Sequence, residues 1–256
     1  MKMRKLTLLS LLVLTLSFRP EVQAQQTRTI EEAIAFYVDK VNADSIHSHI
    51  QALQDFGTRF CLADNHRDIA VWLKNKFISY GYSDTKLDSF AFNYNYGSTY
   101  YQTWQYNVIA TYPGFVNPDK VYIMGAHYDA IVPSSSNPFV IAPGADDNAS
   151  GVAAALEVAR IMKKYGYVPE STIKFITFPA EEFGLYGSWD FADKAFSQGM
   201  NIEFMLNNDM ISYCTLPPEQ WKVDIIKYPN SPQVTNLARY IAQNFTPLTV
   251  VETTQY

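Results

Sequence analysis

Histidine is scarce in this 256-residue chain: there are four, and none follows His127. Any chemistry that needs imidazole beyond that position is denied it. Cysteine is scarcer still. Cys61 and Cys214 leave room for one disulfide at most, and one bridge or two separate thiols stay equally open. Basic residues number 20 against 25 acidic ones, a net charge of −5, which removes the electrostatic case for a nucleic-acid partner. Beyond the N-terminus no apolar run is long enough to span a bilayer. There is no Walker loop, no GxGxxG fingerprint and no GxSxG elbow, so phosphate-cradling, dinucleotide and serine-hydrolase readings fall away. No internal repeat, low-complexity tract or Gly/Ser linker interrupts the chain.

The N-terminus reads as a targeting segment. Lys2, Arg4 and Lys5 form a positive region, Leu6 to Phe18 is largely apolar, and Val22-Gln23-Ala24 supplies small residues at the cleavage positions. This predicts a signal peptide over 1–24 and a mature chain from Gln25, secreted or periplasmic, with no membrane contact after cleavage. No cysteine follows the apolar run to carry a lipid. Removing the segment takes the net charge from −5 to −8. The remainder, 25–256, suits one large α/β domain better than two small ones.

Hydrophobic spacing and capping residues place the elements. Thr29-Ile30-Glu31-Glu32 is a capping box opening a helix, a second helix runs from Ser45 to Phe56, and a third follows Asn65 as its N-cap. Lys86 to Tyr112, rich in aromatic and β-branched residues, predicts two or three strands. Strands then alternate with helices: strands at 121–125, 172–178, 202–206 and 222–228, and helices at 149–165, 187–196 and after Ser231-Pro232. Such alternation predicts a mixed, mostly parallel sheet covered by helices, an α/β three-layer sandwich.

In open α/β sheets, binding crevices form beyond the carboxyl ends of the strands. His127 and Asp129 fall just past one predicted strand, Glu181 and Glu182 past the next, and Asp209 past a third. Asp146 and Asp147 sit in the loop before a helix. Taken singly, a histidine at a strand end, two glutamates before a helix, or an aspartate in a turn has an ordinary structural explanation. Together they crowd one sheet edge, where carboxylates repel one another and are driven toward protonation. A pair of divalent ions removes that conflict. Asp146, Asn148, Ser150, Gly151 and Glu157 also fall at the spacing of a calcium loop, but the stretch from Pro138 to Gly144 cannot be its incoming helix.

At this point the chain resembles the co-catalytic zinc exopeptidases typified by bacterial leucyl aminopeptidase, a group that also holds glutaminyl cyclases and glutamate carboxypeptidases. The matching runs are Asn107-Val108-Ile109-Ala110, His127-Tyr128-Asp129, Gly144 to Gly151, Ala180 to Ser188 and Asn208-Asp209-Met210. The resemblance implies that His127 and Asp209 bind one zinc, that Asp147 bridges two, and that Glu182 binds the second. It implies that Asp129 holds the His127 ring and that Glu181 is the general base, with a cis peptide bond at Asp147–Asn148. The group's last zinc ligand is a histidine beyond the position of Tyr256, so the chain reads as C-terminally incomplete, with a weak second site. The expected activity is release of N-terminal residues from peptide substrates, with Zn2+ as cofactor. Two other readings stay open: a one-zinc glutaminyl cyclase, and a catalytically impaired binding domain. Glutaminyl cyclases as a group lack the double-carboxylate loop, and retention of Glu181 speaks for catalysis. A carboxypeptidase would want a basic cluster near the motifs, and the sequence has none there. Oligomeric state is not encoded in any of these features.

Overall fold

The computed structural model describes residues 28–254; the predicted signal peptide lies outside them. The capping box is present at the start of α1 (Ile30–Val38): Thr29 Oγ1 accepts from Glu32 N at 3.2 Å, and Glu32 accepts from Thr29 N at 2.9 Å. Helix α2 (Ala43–Gln54) starts earlier than predicted, because Asn42 caps it by accepting from Ser45 N at 2.8 Å. Asn65 precedes α3 (His66–Ser79) as expected, but its side chain does not cap the helix. Its amide instead donates to the carbonyls of Thr58, at 3.0 Å, and Phe56, at 3.4 Å, closing the turn before the helix.

The aromatic stretch forms two strands, β1 (Thr85–Tyr96) and β2 (Thr99–Tyr112), in a hairpin closed by Gly97 and Ser98. Gly97 has φ +59°, the region a tight hairpin turn demands. Next come β3 (Asn117–His127), α4 (Gly151–Lys164), β4 (Ser171–Phe178), α5 (Tyr186–Ser197) and β5 (Asn201–Asn207). The sheet order is β1-β2-β4-β3-β5; β3, β4 and β5 are mutually parallel, and β2 alone runs against the rest.

Alternation along the strands builds the two faces. Val108, Ala110 and Phe175 point to one side, where Leu53 of α2, Leu73 and Phe77 of α3 and Leu156 of α4 meet them. Ile109, Ile123, Ile176 and Phe178 point to the other, against Phe191 and Ala195 of α5. The result is the three-layer arrangement predicted from periodicity. A third cluster, with Phe60, Phe92 and Ala180 buried and Phe139 and Phe183 packed against it, links the β1–β2 hairpin to the loops after β3 and β4.

The C-terminal part differs from expectation. Strand β6 (Lys222–Ile226) does not join the main sheet; across α6 (Pro232–Phe245) it pairs in parallel with β7 (Thr249–Thr253). The run Thr249–Thr253 is not among the predicted strands, although four of its five residues are β-branched. Pro232 occupies the first turn of α6 as predicted, while Ser231 makes no side-chain cap. Cys61 is buried and Cys214 exposed, and they are not bridged. Among the described residues no helix is long and apolar enough to cross a membrane.

Candidate metal centre

The parallel register brings the loops together. β3 ends on His127, whose partner is Phe178, the last residue of β4, so the loops after these strands leave side by side. At the end of β5, Asn207 pairs with Gly125, and Asn208 N donates to Gly125 O at 2.9 Å, setting Asp209 beside His127. Asp147 arrives from the segment Ala145–Ser150 that winds into α4, and the Asp147–Asn148 peptide bond is cis. The side chain of Asn148 donates to Asn208 O at 2.9 Å, fastening this segment to the loop after β5. Gly151 permits that approach: a Cβ there would stand 2.3 Å from Asn208 O.

All six predicted site residues meet. Buried His127 turns Nε2 toward Asp147 Oδ1 at 3.1 Å, Asp209 Oδ1 at 3.5 Å and Glu181 Oε2 at 3.9 Å. One ligand atom from each of His127, Asp147 and Glu182 lies within 4.8 Å of the other two. On the other side of the ring, Nδ1 is 3.2 Å from the main-chain oxygen of Asp129 and 3.5 Å from its Oδ1. Asp129 has a further use that spacing alone did not disclose. Its two carboxylate oxygens accept from the backbone amides of Glu181, at 3.0 Å, and Glu182, at 3.3 Å. Ala180 and Met210, the neighbours of Glu181 and Asp209, have φ of +54° and +45°, conformations that non-glycine residues seldom adopt away from functional sites.

The charges are out of balance. Burial opposes a proton on His127, but hydrogen bonds to Asp129, Asp147 and Asp209 outweigh it and push the imidazole up to about 12. Burial, then Asp147 and Asp129, push the Glu182 carboxyl up to about 7. Glu181 is raised as well, first by burial; His127 opposes this, while Asp129, Asp209 and Asp147 add to it. The His127 imidazolium and the nearby Arg59 guanidinium are two positive charges against the five carboxylates of Asp129, Asp147, Glu181, Glu182 and Asp209. One imidazole nitrogen among carboxylate oxygens is a donor set suited to a divalent ion such as zinc.

Other polar residues are spent elsewhere. Asp146 Oδ1 accepts from Ser212 N at 2.8 Å, Ser212 Oγ at 2.9 Å and Tyr213 N at 3.1 Å, docking the segment that follows Asp209. Glu157 pairs with Arg160 at 2.6 Å and accepts from Asn42 N at 2.8 Å, which removes the last position of the calcium-loop pattern. His49 is buried against Tyr80, His66 bonds the carbonyls of Ala63 and Trp104, and His47 is exposed. Arg59 escaped the sequence reading altogether. It is fully buried, and its guanidinium donates to the carbonyls of Tyr128, Pro143 and Gly144. The one available signal was a charge embedded in the apolar run Arg59-Phe60-Cys61-Leu62-Ala63.

The family model described as peptidase family M28 matches residues 107–252, a span holding every residue of this cluster. The chain belongs to peptidase family M28. This M28 chain is similar to a probable aminopeptidase of Saccharomyces cerevisiae, 27% identical over 239 residues that cover 90% of this chain and 60% of the yeast protein. In fold it is similar to the LapA aminopeptidase of Legionella pneumophila, with a TM-score of 0.68 and 21% identity, covering 88% of this chain and 58% of that one. It is similar also to a glutaminyl cyclase of Bacteroides thetaiotaomicron, with a TM-score of 0.63 and 21% identity, covering 84% and 78% of the two chains. The first curated relatives are longer proteins, of which this chain spans between 21% and 60%.

Proposed function

We propose that this M28 chain is an exported zinc-dependent aminopeptidase, with a signal peptide over 1–24 and residues 25–256 belonging to its catalytic domain. The observation that carries the reading is the convergence of Asp147, Asp209 and Glu181 on His127 Nε2, beside Glu182. His127, Asp147 and Asp209 would hold one zinc ion, and Asp147 with Glu182 would hold a second. Zinc, when bound, supplies Lewis acidity toward the scissile carbonyl and the attacking water. Glu181 takes the proton from that water and delivers it to the leaving amine, a role suited to a carboxyl raised above its ordinary range. Asp129 fixes the His127 ring from behind and, through two amides, the loop on which Glu181 stands.

The test is zinc-dependent cleavage of aminoacyl anilides by the 256-residue chain, run beside metal analysis. Hydrolysis lost on chelation and restored by zinc is expected. A zinc-loaded chain that cleaves no N-terminal residue would sink the reading. Because a glutaminyl cyclase shares the fold, peptides with N-terminal glutamine belong in the assay. Cyclisation there, without hydrolysis of the anilides, would replace the aminopeptidase reading.

A further inference from the structure

Arg59 is the one arginine or lysine among the described residues to be buried, and it stands between the two loops that bring His127 and Asp147 together. Both its main chain and its side chain join them. Arg59 N donates to Ala142 O at 3.0 Å, and Arg59 O accepts from Ala130 N at 3.1 Å. From the guanidinium, Nε donates to Tyr128 O at 2.8 Å, Nη2 to Gly144 O at 2.7 Å, and Nη1 to Pro143 O. Tyr128 lies between His127 and Asp129, and Gly144 lies three residues before Asp147. The fork is therefore spent on main-chain carbonyls from both ligand-bearing loops. Its charge is within electrostatic reach of Asp129, Asp147 and Glu182.

Gly144 is shaped to receive it. At φ +45° a Cβ there would stand 2.8 Å from Arg59 Nη2, 2.5 Å from the Ala130 side chain and 2.1 Å from Asp147 O. A lysine at 59 keeps the charge but presents a single ammonium in place of a planar fork, so it cannot hold carbonyls of two loops at fixed spacing.

We propose that Arg59 is a positioning residue of the metal centre, a clamp that sets the distance between the loop carrying His127 and Asp129 and the loop carrying Asp147. The proposal rests on the zinc reading above. Its test is zinc affinity, measured without turnover, by titrating zinc alone into the metal-stripped chain against a chromophoric chelator. Arg59→Lys and Arg59→Gln are compared with wild type and with Phe77→Leu, a core change between α3 and the sheet. Both Arg59 variants are expected to fold, as judged by circular dichroism, and to lose roughly 10- to 100-fold in zinc affinity. Phe77→Leu is expected to lose stability and keep its zinc affinity. Folded Arg59 variants that bind zinc like wild type would overturn the clamp. So would equal losses of affinity in Phe77→Leu, or failure of both Arg59 variants to fold, since each makes Arg59 a residue of general stability. If wild type itself binds no zinc, the functional reading fails rather than the clamp alone.

Discussion

At the residue scale, one carboxylate serves two loops, those after β3 and β4, that the sequence places far apart. Asp129 stands behind the His127 ring and accepts the amides of Glu181 and Glu182. Its motif position predicts the first contact; the second needs the end of β4 beside the end of β3. Glu181 has the opposite economy, since its carboxylate is proposed for proton transfer and not for holding metal. Replacing Glu181 by Gln keeps size and removes the base, so kcat should fall by roughly 10²- to 10⁴-fold with zinc content unchanged. Steady-state kinetics beside metal analysis checks this, and a variant that loses its zinc instead would move Glu181 into the ligand set.

At the element scale, the site is assembled from ends. β3, β4 and β5 are parallel, so their carboxyl termini share one edge, and α4 delivers Asp147 from the turn before its first residue. Gly144 is where that turn leaves no room. Gly144→Ala should cost more than about 2 kcal/mol, because a left-handed backbone and a steric overlap with Asp147 O and the Ala130 side chain add together. Urea denaturation of the metal-stripped protein would measure it, and a loss below about 0.5 kcal/mol would show that the turn relaxes. Most elements were legible because their signals are local: a capping box for α1, apolar spacing for α2 to α5, and β-branched runs for β3 and β4. Asn65 misled for the same reason. Its sequence context is that of an N-cap, but nearby carbonyls of Phe56 and Thr58 compete for its side chain.

At the scale of the whole molecule, the metal-free site is a pH-dependent liability. His127 is raised by folding, so its contribution to stability is complete below pH 6.5 and is lost as the pH rises toward about 12. Glu182 is raised from 4.5 to about 7, so its ionisation weakens the fold across that interval. Glu157, lowered in the fold, contributes stability that is lost only toward acid and is in place throughout. Burial lowers His49 from 6.5 to about 4, so it works the other way below about pH 6.5, and the melting temperature of stripped protein should fall by several degrees between about pH 6.5 and 9. Zinc should raise it by an amount that grows with pH, because metal takes the place of protons. Melting curves with and without zinc across that range check it; a stripped protein whose melting temperature rises steadily with pH would contradict the assignment. The sequence by itself determined which histidine and carboxylates stand at the strand ends and the alternation that makes three layers, because each is written in residue type and short-range spacing. Tertiary structure alone decided that Arg59 grips carbonyls 84 and 85 residues away, that Asp146 docks Ser212 and Tyr213, and that β6 pairs with β7 outside the main sheet. Those outcomes follow from which distant carbonyls, amides and strand edges are left to be satisfied once the layers have packed, and no local pattern records that competition.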